Sequence, residues 1–192
     1  MILALLVLNG LAYSAQYWDP NFMFQHFALW PLASPFPEFK VWQLLTYGFL
    51  HDMRTLTHLF FNMFGLWMFG RDLERVLGAQ RFLTYYLTCV VGAGVVQLSV
   101  AFVTDGIYPT LGASGGVFGL LLLYGMTFPN RMVVLLFPPI PMKAKYFVLV
   151  FGLLELYLGV SGRTPGVANF AHLGGMLFGF LLLQFWRRRR SR

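Results

Sequence analysis

Pro109-Thr110-Leu111-Gly112-Ala113-Ser114-Gly115-Gly116-Val117-Phe118-Gly119 carries a serine among glycines at the point where a loop turns into a long apolar run. The pattern predicts that the Ser114 hydroxyl lies at the N-terminus of a buried helix. The surroundings make that placement unusual. Of 192 residues, 58% are hydrophobic, 18% aromatic and only 11% charged, whereas soluble domains average about 25% charged. The hydrophobicity falls into several stretches of about 17 to 24 residues, the length that crosses a hydrocarbon core as helix. The short alternating segments of a membrane barrel are absent. The chain therefore reads as an all-α membrane protein in which a polar side chain inside a span needs a reason.

Working outward from Ser114, six spans are expected at about 2–18, 56–72, 80–103, 113–128, 146–162 and 167–186. No linker, repeat or low-complexity tail divides residues 1–192, so one helical domain is expected. The apolar start lacks a basic leader and an evident cleavage site, and reads as a first span rather than a signal peptide. Both termini are expected in the cytoplasm. That puts Arg71, Arg75, Arg81, Arg131, Lys143, Lys145 and the tail arginines Arg187, Arg188, Arg189, Arg190 and Arg192 inside, against Lys40, Arg54 and Arg163 outside. The net charge of +7 thus sets orientation, and no nucleic-acid partner is expected. A long first outer loop, about 19–55, is rich in Phe, Trp and Pro and should lie partly in the headgroup region. The single cysteine, Cys89, falls in an apolar segment and is expected as a small core residue.

Polar residues mark the other spans. His58 and Asn62 share a face of the second; they suit interhelical hydrogen bonding or a site, while the missing carboxylates and thiolates argue against metal. The charge-rich stretch from Gly70 to Gly78 is expected as a turn held by local salt bridges. Prolines at 138, 139 and 141 interrupt any helix after the fourth span, leaving Met132 to Phe137 as an interfacial piece. Glu155 is a lone acid in the fifth span, open to a proton-relay or a packing role.

Chemistry enters when these positions are combined. The first amides of the helix opening at Ser114 lack intrahelical acceptors, and the helix dipole adds positive potential there. Gly112 allows close backbone approach. Gly115 and Gly119 form a small-residue stripe, matched by Ala171, Gly175 and Gly179 on the sixth span, so the two helices can approach closely. That brings His172 within reach of Ser114 as base to nucleophile. Asn62 and His58 would join the Ser114 amide as oxyanion donors. Phe118, one turn below Ser114, is placed to stack on the imidazole or simply to pack. No acid is evident for His172: Asp105 sits in a loop and Glu155 reads as too deep, so a Ser-His dyad is expected. All three polar positions lie near the outer ends of their helices.

Together these residues closely resemble the rhomboid family of intramembrane serine proteases: Gly112-Ala113-Ser114-Gly115 is similar to its GxSG motif, Ala171-His172-Leu173-Gly174-Gly175 to its histidine motif, and His58-x-x-x-Asn62 to its HxxxN. The resemblance implies a six-transmembrane bundle with Ser114 as nucleophile, His172 as base, and His58, Asn62 and Gly112 at the oxyanion site, with Phe118 and Asn169 in support. It implies a serine endopeptidase acting on membrane-protein substrates among lipids, with no cofactor and no metal, and a lateral substrate route between the fifth and second spans. A non-catalytic rhomboid-like escort protein is the alternative. Two positions depart from the pattern: Trp42-Gln43 replaces Trp-Arg, and Phe118 stands where tyrosine is frequent. The compact build suggests a bacterial inner membrane.

Overall fold

The computed structural model describes residues 1–134, 139–163 and 168–190. Helices stand at all six apolar stretches: α1 Ile2–Trp18, α4 Thr57–Leu77, α5 Ala79–Val103, α6 Ser114–Thr127, α7 Ala144–Ser161 and α8 Asn169–Arg190. Two short helices, α2 Pro20–Phe27 and α3 Gln43–Thr46, fold the first loop. Among the described residues α5, α7 and α8 are long and apolar enough to cross a membrane, and α1 and α6 are shorter apolar helices.

α5 is the hub, packing against α8, α6, α4 and α3. Its inner face carries fully buried Phe82, Tyr85, Tyr86 and Cys89, and the expectation for Cys89 holds. Small residues on the neighbours set how near they come. A Cβ built on Gly175 would lie 1.9 Å from the Gly115 carbonyl oxygen, and one on Gly119 would lie 2.3 Å from Cys89 Sγ. The two predicted stripes therefore meet, and α6 and α8 touch backbone to backbone.

Two expectations need correction. The charged stretch after Phe69 is not a turn: α4 runs through it to Leu77, and Gly78 at φ 78° ends it. A run of good helix formers continues the helix until a residue that tolerates positive φ stops it. Asp72 does form the expected ion pairs, with Arg75 at 3.6 Å, and it also reaches Arg131 at 2.7 Å beyond α6. The segment after α6 holds a hairpin, β1 Met132–Val134 paired antiparallel with β2 Pro141–Lys143, because two short flanks of a proline-rich connection satisfy each other's backbone. Residues 135–138 of the expected interfacial piece lie outside the described residues.

The first loop is a folded element tied to the segment before Ser114. Leu29 and Thr110 exchange backbone hydrogen bonds of 2.9 Å each, and the Gly112 N–H donates to the Tyr47 carbonyl at 3.0 Å. The Tyr47 hydroxyl in turn donates to the Val90 carbonyl at 2.7 Å. Gln43 organises the loop from a fully buried position. Its Oε1 accepts from the backbone N–H of Trp30 and Lys40, and its Nε2 donates to the His26 and Glu38 carbonyls. Gln43 does this with a neutral amide able both to donate and to accept.

Candidate active site

Ser114 is the first residue of α6, following Ala113, and Gly112 before it has φ 125°. That conformation belongs to glycine. It turns the chain into the N-terminus of α6, where the first amides lack intrahelical acceptors. α8 starts at Asn169 and carries His172 in its first turn. With the two helices in backbone contact, His172 Nε2 lies 2.8 Å from Ser114 Oγ. Phe118 lies one turn further along α6, its ring parallel to the imidazole at 4.3 Å between centroids and 5° between planes. Stacking of that kind contributes about 0.5–1.5 kcal/mol beyond buried area and holds the plane of the imidazole.

His58 closes another side. Its Nδ1 accepts from the Asp52 backbone N–H at 3.1 Å, so in the neutral ring the proton sits on Nε2, which is then a donor. The position a Gly112 Cβ would take is 2.9 Å from both His58 Nε2 and Cε1 and 3.6 Å from Ser114 Oγ. The absent side chain thus leaves a small space between a ring N–H donor and the serine oxygen. Asn62, buried one turn along α4, donates from Nδ2 to the His58 carbonyl at 2.9 Å. One amide proton is used there, which orients the group and leaves the second.

The loop before α4 is also polar. Arg54 hydrogen-bonds both carboxylate oxygens of Asp52, and these bonds hold Asp52 below the usual carboxylate range. Neighbouring His51 is fully buried, with neither ring nitrogen hydrogen-bonded among the described residues. Burial, reinforced by the His58 ring 5.2 Å away, pushes its pKa down from 6.5 to about 4.

Sequence reasoning missed one member of the cluster. Glu155 on α7 is nearly buried, and its Oε2 lies 2.9 Å from His172 Nδ1 and accepts from Asn169 Nδ2 at 2.7 Å. The expectations that no acid reaches His172 and that Glu155 lies too deep are corrected. The approach to Nδ1 is close but bent, so it is an electrostatic contact rather than an aligned hydrogen bond. The signal was available: α7 and α8 are antiparallel neighbours across a short connection, and side chains similarly far from such a connection stand at similar depth. Asn169 is brought to the site through this carboxylate.

Comparison with known proteins agrees with the motifs. A Rhomboid domain matches residues 38–189. The chain is 35% identical over 141 residues to "Rhomboid protease GluP" of Bacillus subtilis, covering 72% of this chain and 25% of that one. It is 30% identical over 165 residues to "Rhomboid protease GlpG" of Yersinia pestis, covering 84% and 53%. It is 32% identical over 130 residues to "Rhomboid protein 1, mitochondrial" of Saccharomyces cerevisiae, covering 65% and 36%. In each case the chain spans less than two thirds of the curated relative's length. A domain match over most of the sequence, on a helical fold that joins the GxSG, histidine and HxxxN segments, places this membrane protein in the rhomboid family.

Proposed function

We propose that this chain is an intramembrane serine endopeptidase that cuts peptide bonds in or near the spans of other membrane proteins. The observation that carries the proposal is the 2.8 Å contact between Ser114 Oγ and His172 Nε2. In the reaction the Ser114 hydroxyl gives its proton to His172 Nε2 while Oγ bonds to the scissile carbonyl carbon. The charge on the carbonyl oxygen is met by the Ser114 amide at the α6 N-terminus, His58 Nε2–H and the free Asn62 amide proton, beside Gly112. One such donor is worth about 3 kcal/mol in the transition state. As the C–N bond breaks, His172 returns the proton to the leaving amine, leaving an acyl-enzyme on Ser114. Water attacks this ester through the same base and regenerates the hydroxyl. No step requires a metal or cofactor.

The naming of relatives such as GluP and GlpG as proteases supports the reading. A single domain over residues 1–192, termini in the cytoplasm and an outward-facing site fit the distribution of arginine and lysine. Substrates are membrane-spanning proteins whose helices unwind locally, met among lipids in a bacterial inner membrane. A fluorophosphonate probe tests this directly: wild-type protein becomes labelled at Ser114, while Ser114→Ala is unlabelled and cleaves a single-span substrate at least about a thousandfold more slowly. Folded wild-type protein that neither labels nor cleaves would favour a rhomboid-like escort protein instead.

A further inference from the structure

We propose that Glu155 is a positioning residue for the reaction, whose carboxylate holds His172 and steadies the imidazolium that forms during proton transfer. This rests on the serine-protease reading of the same site. Three observations point to it. Glu155 Oε2 lies 2.9 Å from His172 Nδ1, on the ring edge opposite the nitrogen that faces Ser114. Asn169 Nδ2 donates to the same oxygen at 2.7 Å and fixes the carboxylate in place. The acid is nearly buried in an apolar helix, where an unpaired charge would be costly and a paired one has a strong local field.

The consequence for His172 follows from proton bookkeeping. A neutral imidazole has one N–H, and the carboxylate favours placing it on Nδ1. Nε2 is then left with its lone pair toward the Ser114 hydroxyl, as a general base requires. When Nε2 takes the serine proton the ring becomes a cation, and the bent contact to Glu155 tightens into a charge-assisted hydrogen bond. Site contacts that are misaligned at rest commonly tighten in this way. Glu155 thereby acts most strongly in the transition state. It also sits on α7, a different helix from both nucleophile and base, so the position of α7 sets whether the third group is in place. The phenyl face of Phe118 and the Glu155 carboxylate then hold the ring from two directions.

Glu155→Gln and Glu155→Ala separate this role from helix packing. Glutamine keeps the shape and can still offer an oxygen to Asn169, so a purely structural Glu155 would leave Glu155→Gln near wild type and only Glu155→Ala impaired. The positioning role predicts that both lose activity: in Glu155→Gln kcat falls at least about tenfold while KM stays within about twofold, because the lost interaction belongs to the transition state. A second readout is the ¹H–¹⁵N signal of His172 in the phosphonylated protein. In the wild type the Nδ1–H resonance lies far downfield, and in Glu155→Gln it moves upfield. An active, folded Glu155→Gln enzyme with kcat within twofold of wild type and an unchanged Nδ1–H signal overturns the proposal. If the wild type itself neither cleaves nor labels, it is the protease reading that fails. The same ¹H–¹⁵N measurement on resting protein then tests Glu155 separately, and absence of the proton from Nδ1 there overturns its role.

Discussion

At Gly112 one missing Cβ keeps a donor ring and a nucleophile from being blocked. The residue has φ 125°, and an added Cβ would stand 2.9 Å from two atoms of the His58 ring. Gly112→Ala therefore combines a backbone conformation that costs on the order of 1–3 kcal/mol with a clash that pushes His58 away from the space beside Ser114. Activity should fall at least about tenfold in kcat. Ser114 should still be labelled by a small fluorophosphonate, because the contact to His172 approaches from α8 and not through Gly112. Unchanged kcat in Gly112→Ala would show that the space beside His58 takes no part in the reaction. Gln43 illustrates another single-residue solution: its four polar contacts tie the loop together through backbone groups, without the ion pair that an arginine would need a partner to make.

Among the elements, the α6–α8 contact decides whether serine and histidine meet. The Gly115 carbonyl lies where a Gly175 Cβ would have to go, 1.9 Å away, so Gly175→Ala must separate the helices. Misplacement of about 1 Å in a reacting pair can cost a hundredfold in rate, and a loss of that size is expected in cleavage together with a lower unfolding midpoint. Gly10 in α1 is the control, with nothing within 4 Å of its Cβ position. Gly10→Ala should retain full activity and gain up to about 1 kcal/mol in helix stability. Equal behaviour of the two variants would mean that the stripes do not set the spacing. Much of this was legible before the fold was known. Glycine spacing on two spans, and the serine and histidine beside it, are local patterns that survive in any helical packing. What the chain alone did not disclose was rotational setting between helices. Glu155 looked isolated because its partners, His172 and Asn169, lie on another element, and periodicity along α7 says nothing of which neighbour it faces. The hairpin after α6 was hidden for a related reason, since three-residue strands carry too little alternation to register.

Across the whole molecule, packing is graded outward from α5. Half of the apolar stretch of α5 is buried, against 39% in α8 and 17% in α7, so α7 is the least buried of these three and is joined to α8 by the polar link from Asn169 to Glu155. On the other flank, α1 is fastened to the loop before α4 by fully buried Gln16, which donates to the His51 carbonyl at 2.8 Å and accepts from the His51 N–H at 2.9 Å. The clamp holds the backbone of His51 and so keeps its ring in a place where charge is disfavoured. The pKa of about 4 in the folded protein lies below the 6.5 of the free group, so between these values the unfolded chain binds more protons. Stability is then complete above about pH 6.5, falls as pH drops through the window, and levels off below about pH 4. A shift of this size corresponds to about 3 kcal/mol at most. His51→Leu removes the titrating ring but keeps the backbone that Gln16 holds, and it also removes two buried ring nitrogens that make no well-formed hydrogen bond among the described residues. Measured by SDS unfolding at pH 7.5 and 4.5, the midpoint of wild-type protein should drop more on acidification than that of His51→Leu. Parallel drops in the two proteins would mean that other groups carry the acid sensitivity, and that His51 is protonated without disturbing the fold.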